Sequence, residues 1–195
     1  MASGRPREFD VDKALDRALK VFWRKGFEGT SLSDLTKAMR ISRPSLYAAF
    51  CNKAALFNKA IDRYVEGPGA FVLAALQQRT AKAVAERLLG GAIDLVTGSG
   101  NPRGCFMVQG ALACGDSADW ARRELARRRD ASMTDLCKLF ERAVAEGDLE
   151  SDANPADLAR FVTTVMHGIA VLAASGASRD ELERTASIAL QAWPM

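Results

Sequence analysis

The amino-acid sequence predicts an all-α fold of nine to ten helices. Across the 195 residues, apolar side chains recur at spacings of three and four, the period of a helix with one buried face. Strands would require alternating runs of Val, Ile and Thr, and the sequence has almost none. Short links rich in Gly, Ser, Asn and Pro separate the periodic segments. With 48% hydrophobic residues, the chain can bury a substantial core.

The N-terminal region contains three predicted helices with recognisable ends. The first covers residues 10–25 and ends at Gly26, with apolar positions at Val11, Leu15, Ala18, Leu19 and Phe22. We expect Ser31 to cap a short helix over residues 32–39, and Ser42 to cap another with Pro44 in its first turn. Two short helices joined by a three-residue connection are the signature of a helix-turn-helix.

A fourth helix over residues 53–65 leads to Gly67-Pro68-Gly69, the sharpest break in the chain. We therefore predict two domains: a three-helix helix-turn-helix domain with its connecting fourth helix over residues 1–66, and a second helical domain over residues 67–195. The second domain is predicted to contain six further helices, over residues 71–78, 82–96, 105–113, 119–146, 155–174 and 179–193.

Positive charge is concentrated in the N-terminal region. The first 55 residues contain eleven Lys and Arg against six Asp and Glu, whereas the remaining 140 residues carry a net charge of −2. A basic head on a slightly acidic body fits a module that contacts a phosphate backbone, although a solvated basic face has the same composition.

The cysteines and the apolar runs indicate the compartment. Cys51, Cys105, Cys114 and Cys137 form no CxxC pair, and the N-terminus has no apolar signal region. These features predict a reduced, cytoplasmic protein. No apolar run reaches the roughly 20 residues needed to cross a bilayer, so we expect no membrane partner.

The third predicted helix carries side chains that can read DNA bases. In a helix-turn-helix the second of the two short helices enters the major groove. Leu46 and Phe50, four residues apart, are expected to point inward, which leaves Ser42, Arg43 and Ser45 on the exposed leading edge. Arginine can bond O6 and N7 of guanine together, so Arg43 is the predicted base reader, whereas serine is a less selective partner.

Three residues around this helix are candidates for phosphate contacts. Lys53 opens the fourth helix, where its charge adds to the free backbone N–H groups and the positive end of the helix dipole. Thr30 and Tyr47 offer hydroxyl groups for the same task. The alternative for an aromatic residue such as Tyr47 is ordinary core packing.

The whole motif resembles the DNA-binding domain of the tetracycline-repressor (TetR) family. The resemblance rests on TSL at residues 30–32, Leu35, ISRPSLYAAF at residues 41–50, Lys53 and Leu56-Phe57. It implies that Thr30, Tyr47 and Lys53 hold phosphates and that Ser42, Arg43 and Ser45 face bases. Two residues depart from the family pattern, since Arg40 and Cys51 stand where glycine is common. Arg40 is expected to adopt a left-handed conformation that costs about 1 kcal/mol.

The resemblance also implies a function. A family member is expected to be a homodimeric transcription repressor that binds a palindromic double-stranded operator and is released by a small-molecule effector. Release of this kind follows when the effector shifts a two-state equilibrium towards the conformation that does not bind DNA. The recognition helices of the dimer would lie about 34 Å apart, or a multiple of that distance when pairs of dimers bind together. Two alternatives stay open: a redox- or electrophile-sensing regulator that acts through Cys105, and a DNA-binding protein without an effector.

Enzyme and metal functions have little support in the sequence. The chain has one histidine and lacks GxSxG, HExxH and GxxxxGK[ST] motifs, so we predict no catalytic residues. The scattered thiols give no closed zinc pattern, and neither a metal nor a cofactor is expected.

Apolar stripes on the last two helices predict a dimer interface, in which two helices from each copy form a four-helix bundle. The alternative is that these stripes pack inside one monomer. The predicted interface residues, several of them small, are Phe161, Val165, Gly168, Ile169, Leu172, Leu182, Ala186, Ile188, Ala189, Leu190 and Trp193.

An effector pocket is predicted among the middle helices, although ordinary core packing is the alternative for most of its residues. His167 is the single histidine. Cys105 follows Arg103-Gly104 at the start of a predicted helix, where the dipole and the cation would lower a thiol pKa. Some family members similar around this tripeptide sense oxidants or electrophiles there. The predicted lining is Cys105, Phe106, Met107, Gln109, Trp120, Met133, Cys137, Phe140, Met166 and His167.

Overall fold

A computed structural model describes residues 9–112 and 118–194. Within these ranges the chain forms helices and no strands, which confirms the predicted all-α fold. The ten helices are α1 Val11–Lys25, α2 Leu32–Met39, α3 Arg43–Phe50, α4 Lys53–Glu66, α5 Phe71–Ala75, α6 Ala81–Thr97, α7 Phe106–Leu112, α8 Asp119–Glu146, α9 Pro155–Ala174 and α10 Arg179–Gln191.

Polar side chains cap the N-terminal helices and determine where they begin. Ser31 and Asp34 form a capping box at the start of α2, in which each side chain accepts a hydrogen bond from the other residue's backbone N–H. The Ser42 hydroxyl accepts from the N–H of Ser45 at the start of α3. The Asn52 side chain caps α4 in the same way, so three residues separate α2 from α3 and two separate α3 from α4.

Two predicted helix ends differ from the structure by two or more residues. α5 ends at Ala75 instead of continuing to residue 78, because Ala75 is its only buried side chain and, after the half-buried Leu76, both Gln77 and Gln78 are exposed. α10 ends at Gln191, two residues before Trp193. α7 begins at Phe106, one residue later than predicted, and Ala113 lies outside the described residues.

Aromatic rings join the N-terminal helices to the rest of the molecule. The ring centroids of Trp23 and Tyr64 lie 4.9 Å apart and those of Phe57 and Phe106 lie 5.6 Å apart, both pairs edge to face. Trp23 Nε1 also donates a hydrogen bond to the Gly104 carbonyl at 3.1 Å. Buried residues of α1 and α4 therefore share one core with those of α6 to α10. The division into domains at residue 66 stays a prediction.

Ion pairs join α4 to two other helices. Arg63 on α4 bonds Asp16 on α1 through Nε at 2.7 Å. Arg128 on α8 reaches Asp62 on α4 through Nη2, also at 2.7 Å. Arg128 shares Glu124 with Arg127, and hydrogen bonds from these two guanidinium groups lower the pKa of Glu124 to about 2. α4 is thus tied by ion pairs to both α1 and α8.

Candidate nucleic-acid interface and effector cavity

The start of α3, with Ser42 and Arg43, is exposed, because the apolar residues of the helix turn its other side towards the core. Leu46 and Phe50 are fully buried, and Tyr47 on the opposite side is 45% exposed. Arg43 is exposed and makes no hydrogen bond or ion pair with any described residue. The Ser42 and Ser45 hydroxyls lie 2.9 Å apart and bond each other. The guanidinium of Arg43 therefore has all its donors available for a partner, whereas the two serines are partly committed to capping α3.

Lys53 is held at the start of α4 by an aromatic ring. Its Nζ lies 4.3 Å from the centroid of the Phe27 ring, within the distance of a cation–π interaction. Partial burial lowers the pKa of Lys53, and the nearby Glu28 carboxylate opposes that shift. The ammonium group is thus held at the Phe27 ring by the first residue of α4, the end of the helix at which uncapped N–H groups favour a phosphate.

Thr30 does not offer its hydroxyl to solvent. The side chain is completely buried, and Oγ1 donates a hydrogen bond of 2.6 Å to the Gly26 carbonyl at the end of α1. The one proton of the hydroxyl is consumed there, so the structure contradicts its assignment to a phosphate. Thr30 instead fixes the turn between α1 and α2.

Two further cations lie beside α3, the predicted recognition helix. Lys37, in the last turn of α2, and Arg40, at its C-cap, are both exposed, and neither has an ion-pair partner among the residues that the structure describes. In the sequence, Arg40 stands out first as a departure from the usual glycine. Its signal was the run of positive charge through residues 37–43, which brackets the turn of the helix-turn-helix.

Both residues that replace the usual glycines have positive φ. Arg40 adopts φ 59° and ψ 44°, which confirms the expected left-handed conformation. Cys51 has φ 64° and ψ −59°, and the N–H of Asn52 bonds the Phe50 carbonyl at 2.7 Å across it. This is a γ-turn of the rare, strained kind. The recognition helix is therefore bracketed by two strained residues.

Arg40→Gly is expected to raise the free energy of unfolding by about 1 kcal/mol, because glycine adopts the left-handed conformation without a steric penalty. Urea denaturation followed by circular dichroism measures this gain. Arg40→Ala is the matched control, since it removes the same side chain and keeps the penalty. Equal stabilities of the two variants would contradict the strain assigned to Arg40.

A cavity of about 250 Å³ lies between α4, α5, α6, α8 and α9. Most of its surface is apolar, with walls that include Phe71, Leu88 and Leu136. The predicted pocket residues that line it are Cys105, Met107, Met133, Met166 and His167.

Five predicted pocket residues lie away from this cavity. Phe106 is fully buried in the aromatic core, and Phe140 packs on Trp193 with centroids 5.5 Å apart. Trp120 contacts the Phe27 ring, and the Cys137 thiol points to Glu141. Gln109 borders a small surface cleft with Trp23. These side chains share helices α7 and α8 with the lining but lie on other faces of them, which corrects the predicted set.

Polar groups cluster on part of the cavity wall. The Tyr64 hydroxyl lies 3.2 Å from Cys105 Sγ. Burial raises the pKa of Tyr64 well above its usual range, and proximity to Cys105 adds to this. Arg129 donates a hydrogen bond to the Met107 carbonyl. Burial lowers the pKa of His167, and the charge of Arg129 lowers it further. The mainly apolar lining of the cavity thus includes a phenol, a thiol, two guanidinium groups, an imidazole and the carboxylate of Asp135.

The apolar residues of α9 and α10 that were predicted to form the dimer interface lie partly on the exposed side and partly on the buried side of these helices. Phe161, Gly168 and Leu172 are exposed, as are Val171 and Ile188. Val165 and Leu190 are half-buried. The predicted interface residues that are buried in their own chain, and so are corrected to core positions, are Ile169, Leu182, Ala186, Ala189 and Trp193.

α9 is long and apolar enough, by length and composition, to cross a membrane. Core helices of water-soluble proteins share these properties, so the observation is weak evidence for insertion. It does show that α9 is apolar on its outward side as well as on the side that faces the core.

These features define a DNA-binding regulatory protein with a helical body that contains a cavity. One family model, described as bacterial regulatory proteins of the tetR family, matches residues 14–60. A second, described as a tetracyclin repressor-like C-terminal domain, matches residues 83–189. The chain belongs to the TetR family of bacterial transcriptional regulators, which confirms the resemblance in its N-terminal motif.

Several relatives are similar over nearly the whole chain. The repressor ComR of Escherichia coli K12 is 34% identical over 194 residues, covering 98% of this chain and 92% of ComR. The repressor BdcR of the same organism is 32% identical over 194 residues, covering 97% of this chain and 91% of BdcR. A cysteine mutant of the TetR-family regulator CifR, solved with 26-base-pair double-strand operator DNA, is 38% identical with a TM-score of 0.91, covering 97% of this chain and 100% of that chain.

Proposed function

We propose that this protein is a homodimeric repressor that binds a palindromic operator through α3 and leaves it when a small molecule occupies the cavity. The observation that carries the proposal is that one helix reaches both sites. α4 begins with Lys53, held beside the recognition helix, and its last turn contributes Tyr64 and Val65 to the cavity wall. A ligand that displaces the end of α4 would also displace its beginning. The names of ComR and BdcR as repressors support the same direction of control.

α8 offers a second mechanical connection between the two sites. Arg128 lines the cavity and bonds Asp62 of α4. At the start of the same helix, Trp120 contacts the Phe27 ring edge to face with centroids 4.8 Å apart. Phe27 is the ring on which the Lys53 ammonium rests. Movement of α8 around a ligand would therefore alter the support of Lys53 without any direct contact between ligand and DNA.

The energy that such coupling requires is modest. Allosteric coupling of about 1–3 kcal/mol changes affinity by about 5- to 150-fold. A dimer binds both half-sites only while its recognition helices are about 34 Å apart, one turn of DNA. Small changes in the tilt of α4, doubled by two-fold symmetry, would spoil this match.

The exposed apolar stripe on α9 and α10 supplies a surface for the dimer. Phe161, Gly168, Val171 and Leu172 follow one side of α9, and Ile188 continues the patch on α10. A second copy related by a two-fold axis would cover the same residues with their own equivalents, because such interfaces are self-complementary. The result would be a four-helix bundle built from α9 and α10 of each copy.

The remaining expectations follow from this assignment. We propose a cytoplasmic protein that needs no cofactor and catalyses no reaction. Among the described residues, no three His, Cys, Asp or Glu side chains are grouped as they would be around a metal ion.

The proposal is tested by first selecting the operator from random double-stranded DNA with the full-length protein. A metabolite library is then screened for compounds that raise the melting temperature, since a ligand of the folded state stabilises it. The compounds that stabilise the protein should weaken binding to the selected operator. If they all leave operator affinity unchanged, the protein is a DNA-binding protein without an effector.

A second candidate function is thiol-based sensing through Cys105. The observation in its favour is that this free thiol lines the cavity and contacts the hydroxyl of Tyr64 on α4. Alkylation by a haloacetamide would form an S–C bond, break the carbon–halogen bond and release the halide and the thiol proton, and the added group would occupy volume beside α4. Oxidation by peroxide would give the sulfenic acid and water.

The exposed thiol of Cys51 at the end of α3 would also react, so the experiment uses a Cys51→Gly background. In that background, an alkylating agent is expected to weaken operator binding at least tenfold when Cys105 is present. Cys105→Ser should keep full affinity after the same treatment. Equal loss in both proteins would exclude Cys105 as the sensor, and fluorescence anisotropy with the selected operator measures both.

A further inference from the structure

One arginine of α8 differs from its neighbours in what it contacts. Arg122 and Arg123 pair with Asp119, and Arg127 and Arg128 pair with Glu124. Arg129 lines the cavity, is half-buried and has no carboxylate partner within the described part of the chain. Its one hydrogen bond to a described residue is the one that it donates to the Met107 carbonyl. Most of its five N–H donors are therefore left for another acceptor.

His167, like Arg129, is a polar group of the cavity wall that has hydrogen-bonding capacity left for a ligand. It lies on α9, lines the same wall and forms no hydrogen bond with a described residue. Burial and the charge of Arg129 both lower its pKa, so the imidazole is neutral near pH 7. An anion placed between the two side chains would accept hydrogen bonds from both and would favour protonation of His167.

The other charged groups of the lining are already satisfied or exposed. Arg128 is held by Glu124 and Asp62. Asp135 is the acidic member of the lining, but it is exposed to solvent and forms no ion pair with Arg129. The cavity therefore carries an uncompensated positive charge at Arg129.

The rest of the cavity limits the size and polarity of its occupant. Its walls are apolar side chains such as Leu88, Val96 and Met133. A volume of about 250 Å³ equals roughly eight waters at about 30 Å³ each, which suits an organic molecule of roughly ten heavy atoms.

We propose that the effector is a small organic carboxylate with an apolar body, whose carboxylate is bound by Arg129 and His167. The planar guanidinium matches a carboxylate with two parallel hydrogen bonds, and the apolar body fills the space against α6 and α8. The proposal rests on the proposed function, because it names the class of ligand for the same cavity.

The test compares three probes of nearly equal shape by calorimetry on the full-length protein: 3-phenylpropionate, the neutral 3-phenylpropanamide and the cationic 3-phenylpropylamine. The carboxylate is expected to bind at least tenfold more tightly than the amide, and the amine not at all. Arg129→Gln should remove this preference. Arg127→Gln is the matched control, because Arg127 is exposed and paired with Glu124 on the same helix.

Proton uptake provides a second measurement that does not depend on Arg129 variants folding. Binding of the carboxylate near pH 7 should take up a fraction of a proton, seen as a heat that depends on the ionisation enthalpy of the buffer. His167→Gln should bind the carboxylate without this proton uptake.

The outcomes separate this inference from the proposed function. Equal binding of acid and amide, or binding of none of the probes, overturns the carboxylate assignment. Release of the selected operator by the amide but not by the acid overturns it too and leaves the repressor proposal intact. Tight binding of the acid without operator release supports the site and overturns its role as the effector site.

Discussion

Arg43→Ala is expected to lower the affinity for the selected operator by at least about 30-fold and to relax the base preference at two symmetric positions. A bidentate contact from arginine to guanine contributes about 1–3 kcal/mol of discrimination, and a dimer makes it twice. The smallest combined loss, about 2 kcal/mol, corresponds to about 30-fold in affinity. Arg43 is exposed and has no partner in the described structure, so its removal should leave folding unchanged. Fluorescence anisotropy and a repeated selection with the variant measure both effects.

Lys53→Ala distinguishes base contacts from phosphate contacts. This variant should weaken binding to all sequences about equally and reduce the slope of log affinity against log salt by about one per subunit. Arg142→Ala, at an exposed position near the C-terminal end of α8, is the control and should change neither quantity. If Arg43→Ala weakened all sequences equally and flattened the salt dependence, Arg43 would hold a phosphate and the base reader would be another residue.

The helix pattern was largely predictable because its signals are local. The bounds of α8 and α9 match the sequence prediction at both ends. α9 begins after Asn154 with a proline in its first turn, and α8 ends at Gly147 with φ 79°. Capping residues of this kind act through their own backbone neighbours. The end of α5 was not predictable, because it depends on which residues the rest of the fold covers.

The exposure of the candidate DNA-facing residues was predictable to the extent that helical periodicity determines it. Leu46 and Phe50 fix the buried side of α3, and the exposure of Arg43 and Tyr47 follows from them. Thr30 follows no such rule. Whether its hydroxyl faces solvent or the Gly26 carbonyl depends on how the chain turns after α1, and that turn has no periodicity.

The cavity and the outer face of α9 were harder to predict for a shared physical reason. A helix that is apolar on all sides gives no pattern that separates its core side from its other side. Ile169 and Leu172 are both apolar and three residues apart, yet the first is buried and the second is 46% exposed. α8 likewise places Met133 at the cavity and Phe140 in the core.

Leu172→Glu is expected to convert the proposed dimer to a monomer and to lower operator affinity at least 100-fold. In a single chain Leu172 is 46% exposed, so a glutamate there can be solvated and the monomer should fold. In the proposed dimer, two-fold symmetry would bury a copy from each chain beside Phe161 and Val171. Burying two unpaired carboxylates among apolar side chains costs several kcal/mol, more than a bundle of this kind can lose.

The loss of operator affinity follows from the loss of the dimer. When one half-site is bound, the second recognition helix is held close to its own half-site, and this raises its effective concentration into the millimolar range. A monomer loses that advantage and keeps only the contacts of one Arg43 and one Lys53. Light scattering during gel filtration measures the mass, and anisotropy measures the binding. Leu73→Glu makes the same change at an exposed leucine of α5 in the cavity wall, outside the exposed stripe of α9 and α10, and should remain a dimer. A dimeric Leu172→Glu protein with full operator affinity would place the interface on another surface.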